Sequence, residues 1–427
     1  MTSHHRSRRV FAAALIAVLA VALGGCGTAG PNSTLTPTTE FGREIDHLFN
    51  ILFIGGIIVF VLVEAALLYT VIRYRRREGA PAPKHVHGNT TLEITWTLIP
   101  AVVLAFIAIP TVRAIFRTQE KAVPGALEVE VVGHQWWWEF RYPQYTRQGP
   151  GGRLDTLVTA NELYLPVGRT ANFALKTKDV IHSFWIPQLG GKRDLITNHT
   201  NYVWFTPEST AVWNGFCAEY CGTSHANMRM RAFTVTQEEF DRWVAHQLSV
   251  PSSLAPPSSP PPAAGQPPVA RVAPSTGPAT PAGESAEPPR EVAQAQLTTG
   301  TVPMDKLPLH AIPQTPIPAG LVITGVTGDA AAGEKLFSTG ACIACHTVAS
   351  VPIARGIIGP NLTHFGSRTT IGAGLYPNDM PHLMAWIKDS PAMKPGSLMP
   401  ALGRPKIPSG YTDQQIADIA AYLHSLK

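Results

Sequence analysis

The sequence predicts a multidomain chain in four parts: a two-helix transmembrane hairpin, an all-β domain, a linker with no core of its own, and a small all-α domain. Three observations predict it. Two almost uncharged apolar runs, Leu48–Ile72 and Ile94–Ile115, are each long enough to cross the roughly 30 Å hydrocarbon layer as a helix. From Leu127 to about Thr236, short alternating segments rich in Val, Phe, Thr and Trp are separated by Gly, Pro and Asn. From Pro251 to about Gly320, Pro, Ala, Ser and Thr dominate, a composition that buries too little to fold.

Size and charge agree with this division. The 427 residues leave room for two or three domains, and 39 prolines are too many to spread evenly through packed cores. The formal charge of +5 is mild, and the arginines cluster beside apolar segments. That pattern sets membrane topology and is no nucleic-acid footprint, so no nucleic-acid partner is expected.

Taken in order, residues 1–25 read as an export signal: Arg6, Arg8 and Arg9 precede the apolar stretch Val10–Leu23. The ending Leu-Gly-Gly-Cys26 resembles a bacterial lipoprotein box, which implies cleavage before Cys26 and lipidation of its thiol; an ordinary signal peptide cut nearby is the alternative. The hairpin occupies 26–120. Arg73, Arg75, Arg76, Arg77 and Lys84 lie between its spans, so the positive-inside rule puts this loop in the cytoplasm and everything after about residue 117 outside it. The expected location is the bacterial plasma membrane, multi-pass, with the later domains extracytoplasmic. Glu64 falls inside the first span, where an ionised carboxylate costs a few kcal/mol unless relieved by a partner.

The β domain spans 121–250 and closes with an amphipathic helix over Glu238–Gln247. The linker covers 251–320; extended like polyproline it would reach on the order of 200 Å. The last domain, 321–427, is bracketed by amphipathic helices at Asp329–Phe337 and Asp413–Leu426, the second with Thr412 or Asp413 as its N-cap.

The five cysteines divide by context. In Cys217-Ala-Glu-Tyr-Cys221-Gly-Thr-Ser-His225-Ala-Asn-Met228, two thiols, an imidazole and a thioether fall in one loop between strand-like segments. Soft sulfur with imidazole favours copper, and a single blue-copper site needs only one Cys, so the extra thiol calls for a second metal bridged by both sulfurs. A zinc knuckle or a Cys217–Cys221 disulfide is the rival reading, though neither uses Met228. A second imidazole is best supplied by His182, in Asp179-Val-Ile-His-Ser-Phe-Trp-Ile-Pro187.

These motifs closely resemble the binuclear CuA centre of cytochrome c oxidase subunit II, over roughly residues 40–245. The resemblance implies a cupredoxin-like Greek-key fold in which Cys217 and Cys221 bridge two coppers and His182 and His225 each cap one. Met228 and the Glu219 carbonyl would be weak axial ligands, and the Glu219 carboxylate would face a magnesium shared with subunit I. It implies that Trp136, in Gly133-His-Gln-Trp136-Trp-Trp-Glu-Phe140, receives electrons from cytochrome c; core packing is the rival role for Trp137 and Trp138. Glu93, in Leu92-Glu-Ile-Thr-Trp-Thr97, would sit at the mouth of a proton path in subunit I, with a solvated interfacial carboxylate as the alternative. One departure from the family is the loop after Lys192-Arg-Asp194, which runs Leu-Ile-Thr-Asn-His-Thr-Asn201 where Pro-Gly is usual.

Cys342-Ile-Ala-Cys345-His346 is a c-type haem attachment motif: two thiols for the vinyl groups and a proximal imidazole. Gly359-Pro-Asn-Leu362 follows it, and Pro360 would orient His346 through its carbonyl. Met399, in Gly396-Ser-Leu-Met-Pro400, is the expected distal ligand, with Met393 and Met380 as rivals. This part resembles class I cytochromes c, and the fusion resembles the caa-type oxidases. The resemblance implies partnership with oxidase subunits I and III and a cytochrome bc complex or soluble cytochrome c as donor. It also implies a role as the electron-input subunit of a proton-translocating, dioxygen-reducing enzyme. A copper-containing nitric oxide or nitrous oxide reductase, or a copper-handling lipoprotein, are the other readings; Glu93 and the hairpin favour an oxidase, and the fused haem speaks against copper handling.

Overall fold

A computed structural model describes residues 30–76, 79, 87–119, 124–149, 152, 154–251, 302, 307–407 and 410–427. Cys26, the expected lipidation site, and most of the linker lie outside the described residues. The apolar runs form helices α1 (Glu40–Arg73) and α2 (Thr90–Gln119), each longer than its hydrophobic stretch. Thr39 caps α1 by accepting from the Gly42 amide at 3.0 Å. Both helices are long and apolar enough to cross a membrane, and their apolar surface is almost wholly exposed. Glu64 is among the exposed residues, and Glu93 lies in the first turn of α2, where the helix dipole favours a carboxylate.

One end of the hairpin is fastened to the β domain. Phe41 buries its ring edge-on against Trp204, 5.7 Å between centroids, and the Thr38 amide donates to the Gln188 carbonyl at 2.9 Å. Arg117 pairs with Glu44 at 2.9 Å across the two helices. The β domain is thereby held at one end of the helix pair.

Alternation of apolar residues produces ten strands: β1 (Leu127–His134), β2 (Trp137–Gln148), β3 (Leu154–Ala160), β4 (Glu162–Pro166), β5 (Ala171–Thr177), β6 (His182–Trp185), β7 (Arg193–Leu195), β8 (Asn201–Phe205), β9 (Ala211–Cys217) and β10 (Arg229–Val235). They make two five-stranded sheets, β3-β2-β1-β5-β8 and β4-β10-β9-β6-β7. The β1–β5 and β10–β4 pairs are parallel, the others antiparallel, as a sandwich with strands crossing between layers requires. Trp138, Phe140, Phe173, Phe184 and Phe233 fill the space between the sheets. The Tyr142 hydroxyl ties one sheet to the other, donating to the Tyr164 carbonyl at 3.1 Å and accepting from its amide at 2.9 Å. Helix α3 (Gln237–Leu248) closes the domain behind a capping box of Thr236 and Glu239.

The stretch read as linker is not uniform. Val302, Leu307 and Ala311 join the β-domain core, and the Arg231 guanidinium donates to the Ala311 carbonyl at 2.9 Å. Scattered apolar residues in a proline-rich segment need no core of their own when a neighbouring domain offers one.

In the C-terminal domain, α4 (Ala330–Thr339) packs on the last helix, α8 (Asp413–Ser425), through Phe337 and Tyr422, 5.5 Å between rings. Between them lie the single-turn α5 (Cys342–Cys345), the ribbon of β11 (Thr370–Ile371) and β12 (Tyr376–Pro377), α6 (Met380–Lys388) and the short α7 (Ser390–Met393). Asp329 caps α4 and Thr412 caps α8. The domain does not hang free: its 361–374 and 394–396 segments lie against the β domain.

Candidate metal centres

Strand β9 ends at Cys217 and β10 begins after Met228, so the antiparallel pairing of Phe216 with Arg229 pins both ends of the sulfur-rich loop. Strand β6, which begins at His182, pairs with β9 so that Phe184 faces Cys217. The sheet register therefore brings a histidine from 35 residues upstream onto the loop. The Cys217 and Cys221 Sγ atoms are 3.7 Å apart. His182 Nδ1 lies 3.9 Å from Cys217 Sγ, His225 Nδ1 3.6 Å from Cys221 Sγ, and Met228 Sδ 4.0 Å from Cys221 Sγ. The Glu219 carbonyl is 3.2 Å from Cys217 Sγ, while its carboxylate belongs to an exposed residue. The six predicted copper donors gather around the two sulfurs, and the ligand atoms of His182, Cys217 and Cys221 all lie within 4.8 Å of one another.

Chemistry tests whether they fit a metal. A disulfide needs sulfurs about 2.05 Å apart, so none joins these free thiols. Two thiolates on one tetrahedral metal, at about 2.3 Å each, lie about 3.8 Å apart, close to the spacing seen. The Cys221 thiol beside it holds the Cys217 thiol well below its ordinary range, and the resulting thiolate pushes Cys221 up. The donor set of two sulfurs, two Nδ1 atoms, a thioether and a carbonyl suits copper.

Asp179 holds His182 in place. Its Oδ1 is 2.8 Å from His182 Nε2, which leaves Nδ1 facing the sulfurs, and its Oδ2 accepts from the Gln135 amide at 2.6 Å. Burial raises the Asp179 carboxyl, but His182 and the Gln135 and Val180 amides outweigh it and hold the carboxyl low. Burial likewise disfavours charge on His182, yet Asp179 and Cys217 raise it. Such a carboxylate–histidine pair fixes both tautomer and ring orientation. No motif reading singled out Asp179; its place three residues before His182 was the available signal.

The three tryptophans part company. Trp138 is fully buried, 5.9 Å from Phe184, and is core. Trp137 stacks on His134 at 4.1 Å. Trp136 is half-buried, and its Nε1 donates to the Cys221 carbonyl at 2.9 Å, a single hydrogen bond from one of the two paired thiols' residues. On its other side lies Gly396, where an added Cβ would stand 2.6 Å from the indole Cζ3. Only glycine permits that approach at its φ of +82°.

In the C-terminal domain, Cys342 and Cys345 lie one turn apart on α5. His346 Nδ1 donates to the Pro360 carbonyl at 2.9 Å, so Nε2 is the nitrogen left for iron, and burial lowers the imidazole pKa, keeping it neutral. Ser390 Oγ donates to the Met399 carbonyl at 2.6 Å, tying the Met399 loop to α7. Of the rivals, Met393 is buried and its carbonyl accepts from the Tyr376 hydroxyl at 2.6 Å, a packing role; Met380 opens α6 and packs against the same core. A cavity of about 830 Å³ runs between the two domains, lined by Thr347, Gly359 and Leu398 on one side and His134 and Trp137 on the other. None of Cys342, Cys345, His346 and Met399 lines it; the fit to a haem rests on two thiols on one turn beside a neutral imidazole whose Nε2 is left open.

Comparison with known proteins follows the same division. "Cytochrome C oxidase subunit II, transmembrane domain" matches residues 35–114, "Cytochrome C oxidase subunit II, periplasmic domain" residues 127–235, and "Cytochrome c" residues 330–427. Cytochrome c oxidase subunit 2 of Alkalihalophilus pseudofirmus is 29% identical over 402 residues, covering 92% of this chain and 91% of that one. The Bacillus subtilis protein of the same name is 28% identical over 97% of this chain and 96% of its own. A probable cytochrome c oxidase subunit 2 of Rickettsia bellii is 32% identical over 51% of this chain and 84% of its own.

Proposed function

Because the chain belongs to the cytochrome c oxidase subunit II family and carries a cytochrome c domain behind it, we propose that it is the electron-input subunit of a terminal respiratory oxidase, associated with subunit I. The observation that carries this reading is the convergence of Cys217, Cys221, His182, His225, Met228 and the Glu219 carbonyl beneath Trp136, whose other face meets the Met399 loop.

When bound, the copper pair and the haem take up and release electrons one at a time. Cys217, Cys221, His182 and His225 would hold the coppers through sulfur and Nδ1, with Met228 and the Glu219 carbonyl as weaker donors, a set that would leave no place for a substrate. His346 and Met399 would hold the haem iron and Cys342 and Cys345 would attach the ring covalently; thioether and imidazole ligation together would favour the reduced state. Trp136 links the two centres. Its indole touches the Met399 loop and hydrogen-bonds the Cys221 carbonyl.

The hairpin, and lipid on Cys26, anchor the chain in the bacterial plasma membrane as a multi-pass protein with both redox domains outside the cytoplasm. Glu93 opens a proton path in subunit I, and the Glu219 carboxylate faces a magnesium shared with it. Subunit III completes the complex, and a cytochrome bc complex or soluble cytochrome c is the donor, with dioxygen reduced to water in subunit I and protons translocated. Purifying the intact complex tests this reading. Expected are copper at the β domain, a covalent haem on a denaturing gel and dioxygen uptake driven by reduced cytochrome c; a complex lacking copper and its mixed-valence spectrum would overturn it.

A further inference from the structure

Long tethers are built for collisional docking, which uses exposed charges and tolerates many orientations. The seam between these two domains is of another kind. Glu162, Arg231 and Lys394 are each only 4% exposed, and each addresses main-chain groups across the seam. Glu162 Oε1 accepts from the Thr369 amide at 2.7 Å, the Thr369 hydroxyl at 2.5 Å and the Thr370 amide at 3.3 Å. Arg231 donates to the Gly374 carbonyl at 3.3 Å while holding the Ala311 carbonyl on the near side. Lys394, from the C-terminal domain, donates to the Trp136 carbonyl.

Main-chain partners matter because their positions are set by the fold. A surface ion pair survives a slide of several ångströms; a buried carboxylate shared among three donors does not. Buried charge left without its partners is costly, so these contacts exist together in one register or not at all. That register sets Gly396 on the Trp136 ring.

We infer that Glu162, Arg231 and Lys394 are positioning residues that seat the 394–399 loop on Trp136, so that electrons cross between the domains at one fixed geometry and without a diffusive search. The inference rests on the reading of Trp136 and the two metal centres given above. Transfer across the seam is then independent of solvent viscosity.

The test is made in the intact oxidase complex, by rapidly reducing the haem and following the copper band as electrons arrive. Unmutated chain should show a rate unchanged by added glycerol. Glu162→Ala strands three donors in the docked form, and should slow transfer at least about tenfold, the effect of roughly one such lost partner, and make it viscosity-dependent. Glu162→Gln keeps an acceptor and should restore the rate to within about twofold. Haem and copper spectra serve as the check on folding; if Glu162→Ala loses them, Lys394→Met gives the same readout from the other side of the seam. Unchanged, viscosity-independent transfer in a variant with both spectra intact would overturn the inference, whereas unmutated chain without a copper band would overturn the proposed function instead.

Discussion

Replacing Gly133 by alanine should cost the chain its copper site while touching none of the ligands. An added Cβ would stand 2.7 Å from His182 Cδ2, 3.0 Å from Cγ and 3.2 Å from Leu195 Cδ2. Carbon atoms in contact prefer about 3.5–4.0 Å, so something must retreat by roughly 1 Å. The strand cannot. Gly133 is paired with Trp138 on β2, and its carbonyl accepts from the Lys178 amide at 3.0 Å. The imidazole must therefore yield, against the 2.8 Å bond that ties it to Asp179. Ligand positions tolerate only about 0.2 Å, so His182 Nδ1 would leave its place. The crowding should destabilise the β domain by about 1–3 kcal/mol and lower copper affinity by at least the ~10–100-fold seen when a ligand's support is lost. Competition with a chelator, followed by the copper absorption band, measures the second effect and thermal melting of the copper-free chain the first. Unaltered affinity and spectrum in Gly133→Ala would refute the claim that His182 is held rigidly against β1 as a copper ligand.

Two further outcomes follow from single groups. Asp179→Asn keeps the shape of the support but removes its charge, and copper affinity should fall about 10–100-fold in the same chelator competition; equal affinity would show that the carboxylate does not hold His182. His364 lies at the domain seam, where burial and the neighbouring His246 ring at 4.8 Å push it down to about 4. The folded form thus binds fewer protons than the unfolded chain, whose histidine titrates near 6.5, so its stability is whole above about pH 6.5 and is lost as pH falls toward 4, by up to about 1.4 kcal/mol per unit. Melting temperatures of His364→Gln should therefore drop less between about pH 7.5 and pH 5 than those of unmutated chain; parallel slopes would refute the assignment.

Much of the site was legible because its signals are local. A Cys-x-x-x-Cys-x-x-x-His-x-x-Met loop carries most of its ligands within twelve residues, and Cys-x-x-Cys-His does the same for a haem. The hairpin was legible for an equally simple reason: a span of hydrocarbon sets a length that few other segments meet. Helix ends came out longer than the apolar runs because capping groups and solvated turns extend α1 and α2 beyond the oily stretch.

Other residues carried no such signal. Asp179 has meaning only once β6 pairs with β9 and turns His182 toward the thiols. Glu162 reads as an ordinary strand-edge acid until Thr369 arrives from more than two hundred positions away. Composition spoke for a long free tether, yet Val302, Leu307 and Ala311 lie in the β-domain core. By itself, then, the sequence determined the pair of long apolar helices, the β and helical domains and the donor types at both candidate metal centres, since periodicity and side-chain chemistry are properties of neighbouring residues. Only the tertiary structure decided how His182 is held and how one domain is seated on the other, because those depend on contacts between atoms that the chain separates and the fold brings together.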